Sequence, residues 1–283
     1  MADIIFFEDL KQNVKLSLKE DIGGGDLTAS LIPENNNSTA KIIAKEDAIV
    51  CGRPWFDAVF QEINQDIKIN WIVKEGNKVA KNTVICELKG SSSSLLTAER
   101  SALNFLQTLS ATATITATFV EQLKNTKTKL LDTRKTLPGL RLAQKYAVKC
   151  GGGTNHRVGL YDAILIKENH IMAAGNIAKA VATAKKLHPN VKIEVETENL
   201  NELHQALEAK ADIIMLDNFS TPLIVEAVAI NKQHKNKSKL EASGNIEINR
   251  LAELATTGVD FISTGAITKN IQAIDYSMRF DLK

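Results

Sequence analysis

Beyond residue 125 one pattern repeats, and it limits the fold more than any other feature of the chain. Short apolar runs at residues 129–132, 163–166, 192–196, 212–216, 239–242 and 260–263 read as strands. Amphipathic segments at 139–149, 171–187, 200–210, 222–234 and 246–257 read as the helices between them. Strand starts recur roughly every 20 to 35 residues, the period of βαβ units that build a parallel sheet with right-handed crossovers. About six such units are fewer than the eight of a full TIM barrel. The expected fold class is therefore α/β, with an open, incomplete, TIM-like barrel.

The first hundred residues have a different texture. Phe6, Leu10, Val14 and Leu18 are spaced as on a helix, and the turn-rich stretch Glu20-Asp-Ile-Gly-Gly-Gly-Asp-Leu-Thr28 follows them. Residues 38–50 and 67–73 read as strands and 53–63 as a short helix. Residues 74–88 alternate around a Gly turn, as lipoyl and biotinyl carriers do, but lack the modifiable Lys beside Met or Ala and so read as architecture. The serine run at 90–94 reads as a joint before a helix over 95–123.

Composition excludes several classes. The chain has 35 Lys and Arg against 33 Asp and Glu, a formal charge of +2, so a nucleic-acid coat is not expected. A hydrophobic fraction of 44% with 24% charged residues is globular. No apolar run reaches membrane-spanning length, and the first residues lack the basic region of a signal peptide, so a soluble, cytoplasmic chain without a membrane partner is expected. Cys51, Cys86 and Cys150 are scattered and form no C-x-x-C, which suggests neither a disulfide framework nor a zinc site.

In a parallel barrel the chemistry sits where strands end. Here those positions carry Asp132-Thr133-Arg134-Lys135, Lys167-Glu168-Asn169-His170, Glu194 and Glu196, Asp217-Asn218, Ser243-Gly244-Asn245 and Thr264-Gly265-Ala266, with Asn155-His156-Arg157 before the second strand. Seven Lys and Arg residues, at 134, 135, 141, 145, 149, 157 and 167, face one acid, Asp162, between positions 134 and 167. Such a basin suits small polyanions, Arg offering a planar fork and Lys a compact charge. Arg141, Lys145 and Lys149 repeat along a helix and read as a solvated face, whereas Arg134, Lys135, Arg157 and Lys167 sit at junctions and read as ligands. His156 and His170, each taken alone, read as structural. Glu196 and Asp217 can hold Mg²⁺, fix ribose hydroxyls or stabilise an oxocarbenium-like cation, but Glu194 shares the parity of Glu196, so the strand pattern leaves both open. The two Gly turns are a candidate phosphate site.

These motifs, in this order, resemble the quinolinate phosphoribosyltransferase family over nearly the whole chain. Glu99-Arg-Ser-Ala-Leu-Asn-Phe-Leu-Gln107, Asp132-Thr-Arg-Lys-Thr-Leu-Pro-Gly-Leu-Arg141, Gly151-Gly-Gly-Thr-Asn-His-Arg-Val-Gly-Leu-Tyr-Asp162, Leu165-Ile-Lys-Glu-Asn-His-Ile171 and Leu216-Asp-Asn218 carry it with the glycine-rich stretch at 20–28. The resemblance implies an N-terminal α/β sandwich domain (1–105), a barrel domain (106–270) and a tail (271–283) that packs back on the first. It implies reaction of quinolinate with phosphoribosyl pyrophosphate and Mg²⁺ to give nicotinate mononucleotide, pyrophosphate and CO₂ in de novo NAD synthesis. It also implies a homodimer, or a larger oligomer, with shared sites. Arg134, His156, Arg157 and Lys167, with Thr133 beside them and Arg100 from the other subunit, would bind quinolinate. Lys135 would contact substrate or pyrophosphate, Glu196 and Asp217 the ribose and the metal, directly or through water, and Ser243, Gly244, Asn245, Thr264, Gly265 and Ala266 the 5′-phosphate. The family spacing selects Glu196 over Glu194. Leu137, Thr108, Asn245 and Lys269-Asn270 depart from the family's usual Thr, Arg, Gly and His-Ser.

Quinolinate's extra carboxylate, matched by Arg134, His156, Arg157 and Lys167, favours it over nicotinate, the substrate of one relative on the same scaffold; another, a molybdenum-transport homologue, has no settled substrate. A Schiff-base lyase through Lys135 or Lys167 needs a desolvated amine of lowered pKa, which so many cations do not provide. A non-catalytic binder does not need every charged position kept.

Overall fold

The computed structural model describes residues 5–33 and 36–280. The chain runs through α1 (Leu10–Ile22), β1 (Asn37–Ala44), β2 (Ala48–Ile49), α2 (Arg53–Ile63), β3 (Lys68–Trp71), β4 (Lys78–Val79), β5 (Val84–Ser91) and α3 (Ser92–Glu121). It continues through β6 (Lys129–Leu131), α4 (Arg141–Cys150), β7 (Ile164–Ile166), α5 (Glu168–Ala174), α6 (Ile177–Leu187), β8 (Ile193–Thr197), α7 (Leu200–Glu208) and β9 (Ile213–Asp217). Last come α8 (Thr221–Gln233), β10 (Lys239–Ser243), α9 (Ile248–Thr256), β11 (Phe261–Ser263), α10 (Ala266–Lys269) and β12 (Tyr276–Phe280).

Two compact units result. The first holds Ile5–Ala117, Leu137–Gly152 and the segment from Asn270. Its four-stranded antiparallel sheet has the order β12-β1-β5-β3. Alternation along β1 buries Ala40, Ile42 and Ala44, which join Trp55, Phe56, Val59 and Phe60 of α2 and Leu95, Ala98 and Leu106 of α3 in one core. The tail enters as β12, pairing Tyr276 with Ala44. Helix α2 starts with Pro54 in its first turn, and the carboxylate of Glu75 accepts the N–H groups of Gly52 (2.8 Å) and Arg53 (3.3 Å), countering the positive helix end.

Several expectations change here. The serine run is not a joint: Ser91 ends β5, Ser92 opens α3 without an intervening loop, and its buried hydroxyl lies 2.6 Å from that of Ser38. The boundary expected near 105/106 falls inside α3, and α4 belongs to the first unit because Ala143 and Ala147 join its core. Lys145 is completely buried rather than solvated, although Lys149 is exposed. Helical spacing aligned the three cations, but packing of α4 sets which of them meets water.

The second unit comprises, among the described residues, Thr118–Thr136 and Gly153–Lys269. Its six strands are all parallel, in the order β6-β11-β10-β9-β8-β7. β11 closes onto β6, while β6 and β7 do not pair; a single bridge from Leu131 to Thr154 stands at that gap. The α/β barrel is therefore open, and the C-terminal ends of all six strands share one end of it. The helix expected over 171–187 is two: Gly175 (φ +95°) ends α5, and the side chain of Asn176 caps α6 by accepting the Lys179 N–H at 2.9 Å. Among the described residues no helix is long and apolar enough to cross a membrane.

Candidate active site

Asp132, buried just after β6, organises the first half of the site. Its carboxylate accepts the Asn155 side-chain amide at 2.7 Å and the His156 N–H at 2.8 Å, while Asp162 accepts the N–H groups of Val158 (2.8 Å) and Gly159 (2.9 Å). These bonds pin the loop that carries His156 and Arg157, both buried. The His156 ring lies against two carboxylates: Nε2 is 2.9 Å from Glu194 and 3.5 Å from Glu241. All three line a cavity of about 710 Å³ together with Arg157. Glu194 Oε1 and both oxygens of Glu241 are buried without a hydrogen-bond partner.

The protonation of this cluster follows from its contacts. Burial opposes the charge on His156, but the hydrogen bond to Glu194 and the negative charge of Glu194 and Glu241 outweigh it and raise the histidine to about 10. Burial, with the charge of Glu241, pushes Glu194 up to about 7. The Arg157 N–H points into His156 Nδ1 at 2.8 Å, so a second ring proton would have to displace that bond and the proton of Nε2 faces Glu194. The three residues are close enough for a metal ion, but a protonated Nε2 cannot be a ligand. Both ring nitrogens of His156, expected to bind substrate, are thus engaged by protein.

Both groups bind protons more tightly folded than their usual values of 6.5 and 4.5. Their stabilising contribution is complete below those values and is lost as pH rises through about 7 and then about 10. Thermal midpoints should therefore fall across this window, and Glu241→Gln should flatten the fall. An unchanged slope in calorimetry at stepped pH would remove the cluster as its cause.

The second half of the site lies at the strand ends. Glu196 is two residues beyond Glu194 on β8, so both point inward, but Glu194 meets His156 and Glu196 takes Lys167 Nζ at 2.5 Å. The choice that parity left open is thus one of depth. Lys167 is placed by its own helix end, its N–H donating to His170 Nδ1 at 3.0 Å, which makes His170 structural. Burial and then Glu196 raise Asp217 above its ordinary value, while Lys167 and Lys135 oppose the rise, so these four groups share one electrostatic neighbourhood. Burial and the charge of Arg134 both lower Arg157. Two guanidiniums held close at partial burial raise the attraction for an anion.

Asn218, in the left-handed region at φ +56°, joins Asp217 to the first Gly turn. Its side-chain amide donates to Asp217 Oδ2 at 2.8 Å and its N–H to Ser243 O at 2.9 Å. A Cβ on Gly244 (φ +109°) would stand 2.2 Å from Asn218 Oδ1 and 2.8 Å from its backbone nitrogen. Asn245 takes φ +41°, an angle asparagine tolerates. In the second turn the Ala266 N–H already donates to Thr264 Oγ1 at 3.1 Å, and a Cβ on Gly265 would stand 3.0 Å from Lys135 Cδ and 3.3 Å from Thr133 Oγ1. Thr268 Oγ1 holds the Lys135 carbonyl at 2.7 Å. Arg100 is exposed on α3 in the other unit.

Sequence reading missed three positioning residues. Glu241 had a signal, an acid inside an apolar strand, where buried unpaired acids are rare; Asp132 and Asn218 had none beyond their places at strand ends.

An open α/β barrel whose strand ends gather four cations, two carboxylates and two glycine turns defines an enzyme class that handles small polyanions. The chain matches the models for the quinolinate phosphoribosyl transferase N-terminal domain over residues 26–110 and C-terminal domain over residues 112–279. A probable nicotinate-nucleotide pyrophosphorylase (carboxylating) of Synechocystis is 41% identical over 263 residues, covering 93% of this chain and 89% of the relative. One of Bacillus subtilis is 40% identical over 270 residues, 95% and 92% of the two chains. The structure of the nicotinate-nucleotide pyrophosphorylase from Francisella tularensis superposes with a TM-score of 0.93 at 54% identity, over 96% of each chain. The chain belongs to the quinolinate phosphoribosyltransferase family.

Proposed function

We propose that this chain transfers the phosphoribosyl group of phosphoribosyl pyrophosphate to the ring nitrogen of quinolinate and releases CO₂, giving nicotinate mononucleotide and pyrophosphate for de novo NAD synthesis. One observation carries the reading: burial and the nearby charge of Arg134 hold Arg157 below its usual range, while Lys135 and Lys167 flank the Glu196–Asp217 pair. Two carboxylates and a pyrophosphate answer the cations, and a cation-like ribose carbon answers the acids.

On this reading Arg134, Arg157 and Lys167 hold the quinolinate carboxylates, with Arg100 supplied by a second copy. His156 acts from the floor, where its Nε2 on Glu194 and its backbone N–H on Asp132 fix the loop that carries Arg157. Lys135 neutralises the departing pyrophosphate, and the turns at Ser243–Asn245 and Thr264–Ala266 seat the 5′-phosphate beside Thr133. Glu196 and Asp217 lie where positive charge grows at C1′ as the bond to pyrophosphate lengthens. Their partly exposed carboxylate oxygens, close enough to raise Asp217, suit a hard divalent cation. When bound, Mg²⁺ would supply charge neutralisation for the pyrophosphate. After ribosylation the ring nitrogen is positive; the bond to the adjacent carboxylate breaks, its electron pair stays on the ring carbon and a proton replaces CO₂. No pyridoxal or thiamine group is needed for that step. The reading includes a cytoplasmic homodimer, supported by the placement of Arg100 on an exposed helix face.

Purified protein given quinolinate, phosphoribosyl pyrophosphate and Mg²⁺ should form nicotinate mononucleotide and CO₂ in equal amounts. Turnover of nicotinate with none of quinolinate would reject the assignment.

A further inference from the structure

Folding brings two of the scattered cysteines together. Cys51, just before α2, and Cys150, the last residue of α4, are hydrogen-bonded within the first unit, and their sulfurs and a carboxylate oxygen of Glu75 lie within 4.8 Å of one another. Both are free thiols; Cys51 is buried and Cys150 only partly so. Tyr146, one turn before Cys150, hydrogen-bonds to it and to Glu75, and its ring packs on Phe6, Phe7 and Trp55 at centroid distances of 5.7, 5.1 and 5.8 Å. The hydrogen bond from Cys51 lowers the pKa of Cys150, while burial pushes Cys51 well up. Cys150, the less buried residue of the two, is therefore the thiol that ionises more readily, and Cys51 the one that holds its proton more tightly. A thiophilic metal would want four ligands. This cluster offers three, and the Glu75 oxygens are already shared with the Gly52 and Arg53 N–H groups.

We propose that Cys51 and Cys150 form an oxidisable dithiol, a modification site for hydroperoxides. The Cys150 thiolate attacks a peroxide oxygen; the O–O bond breaks, Cys150 becomes a sulfenic acid, and the hydroxide leaves as water after taking a proton. The Cys51 sulfur then bonds to Cys150, its proton goes to the departing hydroxyl, and a second water leaves. Two thiols and one hydrogen peroxide give one disulfide and two waters, the sulfur pair losing two electrons. A dithiol reductant reverses the change. The crosslink ties the end of α4 to the start of α2, and only Gly151-Gly152-Gly153 separates Cys150 from the loop that bears His156 and Arg157.

The full chain, reduced and freed of reductant, is treated with equimolar hydrogen peroxide and measured by intact mass, peptide mapping and thiol titration under denaturing conditions. The expected result is a loss of two hydrogen atoms, a linked peptide pair containing Cys51 and Cys150, and a fall from the chain's three titratable thiols to Cys86 alone. Cys51→Ser should stop at a sulfenic acid that dimedone traps on Cys150. Three thiols surviving, oxygen addition without a crosslink, or stoichiometric zinc in the untreated protein that shields both sulfurs would each overturn the proposal. The wild-type measurement decides the matter even if a variant fails to fold.

Discussion

Gly244→Ala is expected to cut kcat/KM for phosphoribosyl pyrophosphate by about a hundredfold or more. The added methyl would stand 2.2 Å from Asn218 Oδ1 and 2.8 Å from the Asn218 nitrogen, contacts that real Cβ atoms do not make. Asn218 cannot yield alone, because it also bonds Asp217 and the Ser243 carbonyl. The positive φ of Gly244 adds about 1–3 kcal/mol of backbone strain. Displacing a turn and a carboxylate that act on the transition state costs about 3–4 kcal/mol, two to three orders of magnitude in rate. Asn245→Gly is the control: it frees a left-handed residue without adding an atom and should leave activity within about threefold. Steady-state kinetics beside far-ultraviolet circular dichroism separates the outcomes, and a folded Gly244→Ala enzyme of wild-type activity would show that this turn does not seat the substrate.

Arg100→Ala should abolish activity without loss of fold, because its side chain is exposed on α3 and not part of the first unit's core. Lys135→Ala should be equally inactive for a different reason, the loss of a cation beside Asp217. If Arg100 serves the neighbouring subunit, a mixed dimer holds one site that lacks both residues and one that lacks neither. Random re-pairing of equal amounts makes half the dimers mixed, so about a quarter of wild-type activity should return. No recovery in verified mixed dimers would show that each subunit builds its site alone.

How much was legible follows from the range of each signal. The six barrel strands and most helices were readable because periodicity is local, and so were the strand-end residues, since a parallel barrel must present its chemistry there. The single helix expected over 171–187 failed at Gly175, where backbone angle outweighs apolar spacing. The serine run looked like a linker because serine is common in linkers, yet Ser92 is buried against Ser38 by the pairing of β1 with β5. Lys145 looked solvated because its spacing matched Arg141 and Lys149; packing of α4 through Ala143 and Ala147 governs that helix instead.

The order of polar residues along the chain determined the fold class, the anion chemistry and the family, because strand, turn and motif are written in neighbouring residues. Tertiary structure alone decided depth and pairing. It put Glu194 under His156 and Glu196 beside Lys167 although both face inward, added Glu241 from a strand two places away, and brought Cys51 to Cys150. Those relations join residues distant in sequence, and only the closing of the barrel and the docking of α4 onto the first core bring their atoms together.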